Sequence, residues 1–136
     1  MPSTATGREA RLSVKVRRAH HANDLSGQVI LVVEGDPTVA FQLRSNLERA
    51  LAQVVLACDV AEAWRCLASF PISAAVIDYQ RGQDGRLELA TDLRARGITV
   101  LLIARDPLPS HFDAPIITGP VPASEVVQRL KAMLGG

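Results

Sequence analysis

Residues 29–37 read Val-Ile-Leu-Val-Val-Glu-Gly-Asp-Pro, and residues 74–78 read Ala-Ala-Val-Ile-Asp. Val29 to Val33 is a continuous β-branched run rather than an alternating one, the pattern of a central strand covered on both faces. Glu34-Gly35-Asp36-Pro37 ends it. Asp36 is suited to cap a helix, and Pro37 to the first helical position, where no backbone N–H is needed. The second stretch belongs to an apolar strand, Ser73 to Ile77, that delivers Asp78 at its C-terminal end.

Outward from these two strands, apolar runs alternate with segments of helical period, the signature of βα repeats around a parallel sheet. A first helix is expected from Pro37 to about Leu51, with Val39, Leu43, Leu47, Ala50 and Leu51 on one stripe. Val54 to Ala57 reads as a strand. Asp59 begins a second helix whose Ala63, Trp64 and Leu67 mark the buried side before Pro71 ends it. Beyond the loop Arg81-Gly82-Gln83-Asp84-Gly85, the residues Leu87, Ala90, Leu93 and Ala95 predict a third helix that Gly97 stops.

Ile98 to Ile103 is a strongly β-prone fourth strand. The stretch Asp106 to Ala114 holds two prolines and little periodicity, so a fourth helix there is expected to be short, irregular or absent. Pro115 to Ile117 gives a fifth strand, and Ser124 to Leu134 a final helix with Val126, Val127, Leu130, Met133 and Leu134 available for packing. The fold class is α/β: a doubly wound (βα)₅ domain of the flavodoxin-like kind with a five-stranded parallel sheet. Such folds bind ligands outside the C-terminal strand ends, where Glu34, Asp36 and Asp78 all fall.

The 136-residue length fits one domain, and 48% apolar with 21% charged residues is ordinary for a soluble one. No apolar run nears the roughly 18 residues of a membrane span, and the first residues lack a secretory apolar region, so a cytoplasmic place is expected. Cys58 and Cys66 lack CxxC spacing, and His20, His21 and His111 lack metal-like spacing, which favours core thiols over a disulfide and gives no histidine metal cage. No GxGxxG opens the first helix, no P-loop is present, and no Ser, His or Cys sits in a nucleophile setting, which argues against an enzyme acting on a soluble substrate.

Charge divides the chain. Residues 1–27 carry Arg8, Arg11, Lys15, Arg17 and Arg18 against Glu9 and Asp24, a net +3, while 28–136 carry −2. The first part reads as a basic, flexible tail and the second as the domain. A basic tail suits nucleic acid, but it lacks aromatic interleaving and any base-reading helix, so that reading ranks well behind the others.

Over about Leu25 to Leu134 the sequence resembles the response-regulator receiver family. The likeness is carried by residues 29–37 and 74–78, and by Gly97-Ile98-Thr99-Val100 and Gly119-Pro120 at matching distances. It looks most like stand-alone receivers, which often open with a short tail and a lead such as Leu25-Ser26-Gly27. The resemblance implies two-component phosphorelay signalling, in which a phosphoryl group passes from a phosphohistidine to an aspartate at a Mg²⁺-bearing site.

By that resemblance Asp78 holds the phosphoacceptor position, Glu34 the first acid of the metal site, and the carbonyl of Gln80 a backbone metal ligand. Other positions depart from the pattern. Gly35 stands where the second acid belongs, Ala104 where a Thr or Ser would meet the phosphoryl group, and Gly119 where a lysine would clamp it. Ile116 takes the place of an aromatic switch residue, and Arg81 that of an apolar one. Each lost contact is worth on the order of a few kcal/mol of transition-state stabilisation. A weak Mg²⁺ site and slow or absent phosphorylation follow, unless Arg81 or Arg105 supplies the missing cation.

The leading expectation is thus an atypical pseudo-receiver, not an enzyme beyond self-phosphorylation at Asp78. It would bind a histidine kinase, another receiver or an output protein, with a homodimer through the final helix left open. A conventional Mg²⁺-dependent phosphoacceptor at Asp78 is the competing expectation.

Overall fold

The computed structural model describes residues 24–135, and the first 23 residues of the basic tail lie outside them. The strands are β1 (Val29–Val33), β2 (Gln53–Ala57), β3 (Ala74–Tyr79), β4 (Thr99–Ala104) and β5 (Ile116–Thr118). They pair in parallel in the order β2-β1-β3-β4-β5. The helices are α1 (Pro37–Arg49), α2 (Val60–Ser69), α3 (Asp84–Ala95) and α4 (Ala123–Gly135). All six residues of β3 are buried, as a central strand requires, whereas the edge strand β5 buries only Ile117.

Two cores flank the sheet. On one face Leu43 and Leu47 of α1 meet Val126, Val127 and Leu130 of α4 over Ile30, Val32, Val76 and Leu101. On the other, Ala63 of α2 and Leu87, Leu89, Ala90 and Leu93 of α3 cover Leu31, Val33, Ala75, Ile77 and Leu102. Val126, Val127 and Leu130 are therefore core side chains. Leu25 joins the first core, and its N–H donates to the Ala50 carbonyl at 2.8 Å, so packed structure begins ahead of Gln28.

The proline-bearing connection from β4 to β5 runs as turns and bends without a helix, one of the outcomes its sequence predicted. Three other expectations are corrected. Helix α1 stops at Arg49, and Leu51 takes a left-handed φ of 75°. Its N–H donates to Glu48 O and that of Ala52 to Leu47 O, the paired bonds of a Schellman cap, so Leu51 swings out of the stripe into solvent. Trp64 lies at the rim rather than the core, under the guanidinium of Arg96 at 5.3 Å from the ring centroid. Ala95 is exposed, and Leu89 packs inward in the third helix.

Asp36 caps α1 by accepting from the N–H groups of Thr38 and Val39, and Asp59 caps α2 through Glu62 N. These caps fix where both helices leave the C-terminal edge of the sheet, and so set the walls of the site.

Candidate functional site: an aspartate held by two arginines

The site is built where β1, β3 and β4 end. Strand β3 carries Asp78 to this edge, and its pairing with β4 sets Asp78 beside Ile103. Arg105 lies two residues past Ile103, on the same side of the extended chain. Its Nε donates to Asp78 Oδ1 at 3.1 Å, and its Nη2 lies 3.8 Å from Glu34 Oε1. Asp78 is 2% exposed.

A second arginine approaches from below. Arg86, in the first turn of α3, is buried, and its Nη1 donates to the Asp78 carbonyl at 2.9 Å while Nη2 reaches Cys58 O at 3.4 Å. The same Nη1 is 4.0 Å from Asp78 Oδ2. Gln80 Nε2 donates to that oxygen at 3.4 Å. Both carboxylate oxygens of Asp78 thus face donors or cations of this chain.

Glu34 is buried beside them. Its Oε2 accepts from Asp36 N at 3.0 Å, and its Oε1 has no hydrogen-bond partner. Burial pushes its carboxyl above the usual glutamate range, opposed first by the Asp36 N–H bond. The Asp78 charge pushes it further up, and those of Arg105 and Arg86 draw it down.

The substituted positions have space that explains them. A Cβ on Gly119 would lie 3.0 Å from Ile103 Cγ2 and 3.7 Å from Arg105 Cγ. The room where a lysine would start is filled by Ile103 and the Arg105 stem, so the cation facing Asp78 comes from the end of β4 instead of β5. A Cβ on Gly35 would meet Cys58 O at 3.5 Å and Arg86 Nη2 at 4.0 Å, which places a guanidinium against the spot a second acid would occupy. Ala104 donates no hydroxyl; its carbonyl accepts from Gly119 N.

The donor set does not fit a divalent cation. Mg²⁺ wants an octahedron of oxygens, several from hard carboxylates. Here Asp78 Oδ1 is taken by Arg105, the Gln80 carbonyl accepts from Gln83 N at 3.0 Å within a turn, and Gly35 contributes no side chain. Among the described residues no group of three or more His, Cys, Asp and Glu side chains could hold a metal. Glu34, Asp78 and Gln80 do come together, but around guanidinium charge.

Arg81 stands apart: its backbone N–H donates to Asp106 Oδ2 at 2.7 Å, tying the β3–α3 loop to the β4–β5 connection, and Arg105 is the arginine that reaches Asp78. Arg86 was not among the expected site residues. Its signal was in the sequence: Arg86, Leu89, Ala90 and Leu93 form one helical stripe, and a charged residue opening a buried stripe needs a buried partner.

No helix of the described residues is long and apolar enough to cross a membrane. No family model matches the chain. No curated protein matches it by sequence. Solved structures do. A response regulator from Thermotoga maritima superposes with a TM-score of 0.70 at 18% identity, covering 82% of this chain and all of its own. The response regulator TrrA of the same organism, in complex with Mg²⁺-BeF, gives 0.64 at 20% identity over 79% and 99% of the two chains. SdrG from Sphingomonas melonis gives 0.63 at 28% identity over 81% and 97%. Strand order, helix placement and these neighbours agree: the chain has the flavodoxin-like receiver fold of CheY-type response regulators, with arginines gathered around its central aspartate.

Proposed function

We propose that this chain is a receiver module of two-component signalling that works by binding other proteins in one constitutive state, without phosphorylation at Asp78. The observation that carries this reading is the Arg105 Nε to Asp78 Oδ1 bond at 3.1 Å over a carboxylate that is 2% exposed. A nucleophilic carboxylate must meet a phosphoryl donor in line and shed charge onto a preorganised cation. Here its charge is already balanced by Arg105 and Arg86, and its open side is covered by the former.

The consequence is a scaffold whose helices present fixed surfaces. Its partners are a histidine kinase, another receiver or an output protein, and it catalyses no turnover. Incubation of the full chain with a small phosphodonor and Mg²⁺, read by intact mass, is expected to give no adduct. Partner binding is expected to be equal for wild type and Asp78→Asn. A phosphate adduct that disappears in Asp78→Asn would instead establish the conventional phosphoacceptor.

A further inference from the structure

With no helix between β4 and β5, one side of α3 is left facing the Pro109–Asp113 turn across a groove of about 850 Å³. Asp84, Glu88, Thr91 and Ala95, at spacings of four, three and four residues, form the stripe of α3 that borders it, and the buried Leu89, Ala90 and Leu93 lie on the opposite side. Leu87, Pro109 and Phe112 give the groove an apolar floor. Its rim is acidic: no ion pair engages Asp84, Glu88 or Asp113 among the described residues, whereas Asp92 is paired with Arg96 at 3.1 Å. Against these acids the lining carries His111 and Arg94, whose Nη1 donates to the Asp113 carbonyl and holds the far wall in place.

We propose that this groove docks a basic amphipathic α-helix of a partner protein. The helix lies along α3, with its apolar stripe on Leu87 and Phe112 and its Lys or Arg side chains against Asp84, Glu88 and Asp113. Charge selects the basic flanks, and the same acidic rim repels nucleic acid and anionic membranes. The groove shares no residue with the Asp78 site, so docking there needs no change at Asp78 and goes beyond the function proposed above.

The backbone around the groove favours a helix over an extended peptide. Strand β4 is paired on both sides, to β3 and to β5, so an incoming strand finds no ladder there, whereas a helix brings its own backbone hydrogen bonds. The stripe of α3 also leaves room for one. Thr91 and Ala95 are short, and Thr91 Oγ1 is spent on the Leu87 carbonyl at 3.0 Å, so a second helix can approach at the roughly 8–10 Å of ordinary helix packing. Helix α3 has 12 residues, about 18 Å, a length that a partner helix of about three turns matches.

A synthetic peptide of about 16 residues, with Leu at every third or fourth position and Lys on both flanks, tests the docking against the full chain. By fluorescence anisotropy at low salt it is expected to bind with a dissociation constant of about 10–100 μM, as for a small transient interface. The same residues in scrambled order should bind about tenfold more weakly, because the apolar stripe is lost. Glu88→Lys/Asp113→Lys, whose fold is checked by circular dichroism, should weaken the ordered peptide by about tenfold and gain affinity for a version with Glu in place of Lys. Glu88→Lys alone, at an exposed position, should weaken it by about threefold. Equal affinity for the ordered and scrambled peptides overturns the proposal, as does binding that survives the rim reversal. Self-association of the chain, seen as a concentration-dependent sedimentation coefficient that the rim reversal abolishes, assigns the groove to a second copy and overturns it as well.

Discussion

The ends of β3 and the connection after β4 handle charge in opposite ways. Around Asp78, ion pairs of 3.1 to 4.0 Å join the buried Asp78 to Arg86 and Arg105, and the buried Glu34 to Arg105. Along the α3 groove, Asp84, Glu88 and Asp113 face solvent without an ion-pair partner among the described residues. The first region sets its carboxylates against guanidinium charge of the same chain. The second keeps its charge available. In a receiver fold, whose ligand site normally lies at the strand ends, these unpaired charges of the chain thus lie on a helix flank rather than at the sheet edge.

The sharpest way to break that contrast is to remove the buried guanidinium. Arg86→Met leaves the Asp78 carbonyl without its 2.9 Å donor and the carboxylate without a cation beneath it. Removing one partner of a buried pair costs about 3–5 kcal/mol, and a loss of that size is expected in urea unfolding. A loss under about 1 kcal/mol would place Arg86 among the screened surface charges.

Restoring the missing acid tests the other half of the site. Gly35 has ordinary room for a Cβ, so Gly35→Asp together with Arg105→Ser offers Mg²⁺ three carboxylates and removes the guanidinium over Asp78. This double variant is expected to bind Mg²⁺ with a dissociation constant near 1 mM, and about 10 mM Mg²⁺ should stabilise it by roughly 1.4 kcal/mol. The wild type should show no shift in thermal unfolding under the same conditions. An equal shift in both would mean that Arg105 yields to the metal.

The architecture was legible because β1 and β3 are continuous apolar runs and because Asp36-Pro37 and Asp59 announce two helix starts. The prolines at 107 and 109 announced the missing helix as well. Leu51 misled the helical period because the backbone turns left-handed there, a conformation more usual for glycine, which periodicity does not encode. At the site, Gly35, Ala104 and Gly119 could be read as departures from a pattern. What replaced them could not: Arg105 reaches Asp78 only through the β3–β4 register, and Arg86 only through the packing of α3 on that edge.

Glu34 gives the contrast a pH dependence. Its carboxyl is held above the usual range, chiefly by burial, so the folded chain binds this proton at a pH where the unfolded chain has released it. The contribution to stability therefore falls as pH rises from the ordinary glutamate range through the raised value. Glu34→Gln is expected to flatten that segment of the stability profile, measured by urea midpoints across the acid range. An unchanged slope would mean that Arg105 compensates the charge fully.

The smallest effect is expected in the groove, and its sign is informative. Asp84, Glu88 and Asp92 are like charges at four-residue spacing, each such pair costing a helix about 0.2–0.5 kcal/mol. Glu88→Lys turns two repulsive pairs into attractive ones at an exposed position, so the fold should gain roughly 0.5–1 kcal/mol in urea unfolding. A gain under about 0.2 kcal/mol would mean that solvent already screens the repulsion among these exposed carboxylates.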